Sequence, residues 1–152
     1  MISLLKEHLK IARIHALRIK EAREAINHLF PFTPAIIEEL TCSDIAFLEL
    51  YTNRFSKLQD LIGAKMFPEI LLLYGEDLQA LFFIDRLNKM EKIGILNDAQ
   101  EWLYMRKISK QLSHEYPENP EFLADNLNII CKLEPELLAC LANIEKLAKT
   151  MI

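Results

Sequence analysis

Only three glycines stand in the 152-residue sequence. That scarcity argues against a β-rich fold, whose tight turns would need many more residues able to take positive φ. The three cysteines, Cys42, Cys131 and Cys140, are odd in number and spaced like no zinc site or CxxC motif. They read as small core residues in a reducing compartment, with no disulfide or metal chemistry. No uncharged apolar run approaches the length of a membrane span, and Lys6, Glu7, His8 and Lys10 interrupt any secretory segment at the N-terminus. The expectation is a cytoplasmic chain with no membrane contact. A phosphate-cradling Gly-rich loop, a nucleophile elbow and a paired-His metal motif are all missing from the sequence, so the common enzyme templates do not apply and no cofactor is expected.

What is present is hydrophobic residue, 51% of the chain, in a length that suits one ordinary domain covering residues 1–152. The net charge of -4 disfavours broad, nonspecific nucleic-acid binding, which depends on neutralising many phosphates. The charge is uneven. Residues 1–30 hold six Lys/Arg against three Glu, or +3, which leaves -7 for the remainder. This basic strip is either the solvated face of a helix or a surface for RNA or an acidic partner.

The periodicity predicts an all-α, antiparallel up-down bundle of about five helices. Leu5, Leu9, Ala12, Ala16, Ile19, Ala22, Ile26 and Leu29 recur at helical steps until Pro31 and Pro34 end the segment. After a short piece ending near Leu40, Ser43 is the expected N-cap of a second long helix, with Leu48, Tyr51, Phe55, Leu58 and Ile62 inward and Asn53, Lys57, Asp60 and Ala64 outward. Pro68 should kink or interrupt it before Gly75 stops it. A third helix is expected over Leu78–Lys92, ended by Gly94. A fourth, capped by Asn97 or Asp98, should turn Trp102, Met105, Ile108 or Ser109, and Leu112 to the core. A fifth should run from about Glu121 to the end, with Pro135 as a kink.

His8 and His15 lie two turns apart, roughly 10 Å along a helix, too far to share one metal ion, and read as surface or interfacial residues. The stretch richest in chemistry is 106–117. Arg106, Lys110 and His114 follow at steps of four and form a basic stripe beside the Trp102 stripe. That stripe is able to hold a phosphate with His114 as general acid or base, but on physical grounds alone the favoured reading is a helix C-terminus whose cations complement the macrodipole, with His114 as a cap. Trp102 continues an apolar stripe and reads as core.

The run Met90–Leu96 (MEKIGIL), then Glu101-Trp102, Arg106 and Ser113–Pro117 (SHEYP), resembles the signature region of the HepT-like branch of the HEPN superfamily, also described as nucleotidyltransferase-associated or substrate-binding subunits. Arg54–Asp60 (RFSKLQD) with Gly63-Ala64-Lys65 and Phe67-Pro68 is similar to the second-helix pattern of that group, and together these segments span residues 44–128. The resemblance implies a homodimeric helical bundle of a toxin-antitoxin module and, in active members, a metal-independent ribonuclease whose Arg and His line a cleft at the dimer interface. Its partner is a small nucleotidyltransferase that binds the toxin or adds AMP to a Tyr just after the His. His114 and Tyr116 stand at the family His and Tyr positions, and Arg54, Lys57 and Asp60 at cleft-lining ones. Ser109 and Lys110 occupy the places where the family has Arg-Asn, and Arg106 lies outside the family spacing to His114. A serine supplies neither the charge nor the bidentate geometry of a guanidinium. Three functions follow from this pattern: a binding or AMP-modified subunit with an impaired site, an active ribonuclease in which Arg106 and Lys110 stand in and RNA is the substrate, and a purely structural dimer.

Overall fold

The computed structural model describes residues 2–114 and 119–151, with the side chains of Ser113 and His114 left aside. Every regular element among them is helical: α1 Ile2–Ile26, α2 Pro34–Glu38, α3 Cys42–Leu61, α4 Phe67–Leu73, α5 Phe83–Lys92, α6 Ala99–His114 and α7 Pro120–Thr150. The α1 stripe falls where the periodicity puts it, with Leu5, Leu9, Ala12, Ile19, Ala22 and Ile26 buried and Ala16 and Leu29 packed against them. Buried side chains from α1, α3, α4, α5, α6 and α7 join in one apolar cluster.

The second long helix begins earlier than expected. Thr41, not Ser43, is the N-cap: its hydroxyl accepts from the Asp44 amide at 3.0 Å, and the Asp44 carboxylate accepts from the Thr41 amide at 3.1 Å. This reciprocal box outcompetes a serine that has no acid three positions on. α3 and α4 form one rod joined by a wide π turn at Ile62–Met66, where the Phe67 amide donates to the Ile62 carbonyl five residues back. The wide turn accommodates Pro68, which has no amide to give and whose ring would crowd a normal helical turn. The rod stops at Gly75 (φ 80°) and α5 at Gly94 (φ 85°). In both places the next amide reaches back across the end, Glu76 to Leu71 at 3.0 Å and Ile95 to Met90 at 2.9 Å, a Schellman closure that needs a left-handed residue.

The third helix is shorter than expected. Residues 78–80 form a single 3-10 turn capped by Asp77, and α5 starts only at Phe83, because the Asp85 carboxylate accepts from the Phe82 amide at 3.0 Å and fixes the entry there. α6 is capped by Asp98, whose carboxylate accepts from the amides of Gln100 (2.8 Å) and Glu101 (3.3 Å). α7 starts at Pro120 behind Asn119, which accepts from the Glu121 and Phe122 amides, and it runs through Pro135 without ending.

Cross-helix pairs set the directions. Along α1, His8 meets Glu69, His15 meets Arg54 and Arg23 lies beside Tyr51, a descending order that makes α1 antiparallel to the α3–α4 rod. Arg13 meets Glu145 and Arg23 meets Glu134, so α1 also runs antiparallel to α7. Among the described residues no helix is long and apolar enough to cross a membrane.

Candidate functional site

α6 carries the residues singled out for catalysis, and its packing decides which of them face outward. Trp102, Met105, Ile108, Ser109 and Leu112 are all buried, so the inward face is as expected and takes both Ile108 and Ser109. Ser109, where the resemblance to the HepT-like pattern would put an Arg, is only 2% exposed. Lys110 is exposed. Arg106 is half-buried, with its guanidinium carbon 4.9 Å from the centre of the Phe83 ring on α5, a cation–π contact that holds this side chain against its neighbour helix. The His114 side chain and Tyr116 lie outside the described residues.

On α3, Lys57 and Asp60 are exposed, while Arg54 is half-buried against α1. Nine residues further along the rod, Gly63 meets α6, where a side-chain carbon would stand 3.4 Å from the Trp102 indole nitrogen. Nine residues are about two and a half turns of helix, which puts Arg54 and Gly63 on opposite flanks. Within one chain, then, Arg54 is turned to α1 and Arg106 to α5, and the rod stands between the two groups.

The structure gives Arg54 a companion that the sequence did not indicate. Its Nη1 lies 3.1 Å from Nδ1 of His15 on α1. A guanidinium only donates, so His15 Nδ1 is the acceptor and the ring proton sits on Nε2. Burial, and then the positive charges of Arg54 and Lys57, hold the His15 pKa below its ordinary value. The result is a neutral imidazole beside two cations at the seam of α1 and α3. The ion pairs among the described residues engage Arg13, Arg18, Arg23 and Lys89 and leave Arg54 and Lys57 out. The sequence marks His15 as a surface or interfacial residue, and the structure puts it at the interface of α1 and α3; a partner 39 positions away on another helix has no signature in a single sequence.

A second polar group is internal. Tyr51, fully buried, donates its phenol to Glu134 at 2.5 Å; Arg23 reaches the same carboxylate at 3.4 Å and lies 4.4 Å over the Phe30 ring. Burial, reinforced by Glu134, pushes the Tyr51 phenol far above its usual range. This group ties α1, α3 and α7 together. Cys131 beside it is also pushed up, mainly by burial, so it is a thiol at neutral pH and a poor nucleophile. Among the described residues no three His, Cys, Asp or Glu side chains converge in a way that would hold a metal ion.

Comparison of the chain with protein-family models, with curated proteins and with solved structures finds no match to any of them. The functional argument therefore rests on the residues and their geometry.

Proposed function

We propose that this chain is a HepT-like HEPN subunit that works with a small nucleotidyltransferase and serves as its binding and modification partner rather than as a ribonuclease. The observation that carries this reading is the placement of Ser109. The position at which the family pattern has its guanidinium is occupied here by a small residue inside the helix packing, 2% exposed. An arginine there would have to leave the packed inner face of α6 to reach a phosphate in the solvent. The two nearby cations do not replace it: Arg106 is turned onto Phe83 and Lys110 offers a mobile point charge on the outer face. What survives of the pattern is the His114-Glu115-Tyr116 run, which suits a chain whose Tyr116 receives AMP.

On this reading the chain works as a homodimer, and four apolar side chains of α1, Leu4, Ile11, Ile14 and Leu17, each 45–51% exposed, are available for an association surface. The test asks whether a small nucleotidyltransferase gene adjoins this one and co-expresses the two proteins. A stable complex, and an AMP adduct in wild type that is absent from Tyr116→Phe, support the proposal. Failure to associate, with no adduct in the presence of ATP and magnesium, refutes it.

A further inference from the structure

We propose that His15, Arg54 and Lys57 form a phosphate-binding site at the seam of α1 and α3, separate from the α6 stripe and independent of the reading given above. Three features of the geometry lead there. First, the seam gathers two cations and an imidazole from two helices, and the ion pairs among the described residues leave both cations out. The Glu69 carboxylate of α4 is already held at 2.7 Å by His8, which lies two turns from His15 on α1. Asp60 follows Lys57 by one turn of α3 but makes no ion pair with it among the described residues, so the like charges of Arg54 and Lys57 repel one another and an anion between them lowers that cost.

Second, the two cations present different donors of the kinds that phosphate recognition uses. Arg54 spends Nη1 on His15 and keeps its other guanidinium N–H groups, a planar fork that matches two phosphate oxygens. Lys57, one turn along the same helix and exposed, adds a mobile ammonium. His15, with Nδ1 occupied as an acceptor, holds the Arg54 guanidinium in a fixed orientation and is the reporter group beside the two cations.

Third, the anchoring is graded. Arg54 and His15 are half-buried and hold each other in place, whereas Lys57 is free to close over a ligand. A pre-positioned pair with one mobile arm loses less side-chain entropy on binding than three free side chains would. The ligand class is a phosphate group, either free or in the backbone of single-stranded RNA.

The experiment follows the imidazole signals of His15 by NMR in the full chain, with the exposed His28 as internal reference. Inorganic phosphate and a five-nucleotide oligouridylate are titrated in separate arms at constant ionic strength. His15 should shift and saturate while His28 changes little. Lys57→Glu, at a position too exposed to affect folding, and Arg54→Gln should each weaken binding about tenfold or more, the worth of a charge-assisted contact. Tighter binding of the oligonucleotide assigns the site to RNA backbone, and equal binding assigns it to a free phosphate; both uphold the site. A His15 response no larger than that of His28 in both arms, or saturation unchanged in Lys57→Glu, overturns it.

Discussion

Replacing Ser109 by Arg restores in sequence what the family pattern has at that position, and the structure says it will damage the protein instead. Ser109 is 2% exposed on the inward face of α6, between the buried Trp102, Met105 and Leu112. The longer side chain must overpack the interior, which costs about 1–3 kcal/mol. It must also bring a guanidinium toward the packed interior, which adds several kcal/mol unless the helix shifts to let the charge out. A loss of about 4 kcal/mol is a large part of the 5–15 kcal/mol that holds an ordinary domain folded. For a chain of this length it corresponds to a fall in Tm of roughly 8–16 °C, at about 2–4 °C per kcal/mol. Thermal unfolding followed by circular dichroism, with Lys110→Arg as a surface control that should move Tm by no more than a degree or two, roughly the ±0.5 kcal/mol of a neutral surface change, reads this directly. A Ser109→Arg protein as stable as wild type that also acquires metal-free RNA cleavage would refute the reasoning, because the position would then have to open onto a catalytic cleft.

Tyr51→Phe keeps the ring and deletes the phenol that donates to Glu134, so it should cost about 1.5–3 kcal/mol in urea unfolding, the worth of a hydrogen bond to a charged partner; a change under 0.5 kcal/mol would contradict the role given to the Arg23–Tyr51–Glu134 group. The same phenol has a raised pKa in the folded state, so the unfolded chain gives up its proton first and stability should fall as pH rises above about 10, with that decline reduced in Tyr51→Phe. His15 is the opposite case: its folded pKa lies below the ordinary 6.5, the unfolded chain takes the proton first, and stability should fall as pH drops below about 6.5, less steeply in His15→Gln. Parallel urea midpoints across pH for each variant and wild type check both signs.

How much of this was legible in the sequence depends on the range of the interaction concerned. The α1 stripe, the inward face of α6 and the glycine stops at Gly75 and Gly94 follow from local periodicity and backbone freedom, and the structure has them where expected. The N-terminus of α3 was displaced by two residues because Thr41 and Asp44 cap each other, a box that the serine at position 43 obscured. The start of α5 was missed because Leu78 and Leu81 continue an apolar pattern that Asp77 and Asp85 override through their hydrogen bonds. Neither the His15–Arg54 contact nor the Tyr51–Glu134 bond was legible, since each depends on which helices become neighbours, and the sequence pattern gives faces without giving partners. For Ser109 the pattern allowed burial, and the packing of α6 turned that allowance into an argument about function.

The central claim, that this chain is a binding and modification partner and not a nuclease, is most directly tested by incubating pure wild-type protein with a mixed pool of RNA in excess EDTA and comparing it with His114→Ala. The account predicts no cleavage by either protein above the buffer control. Robust cleavage by wild type that disappears in His114→Ala would contradict it and establish the ribonuclease reading.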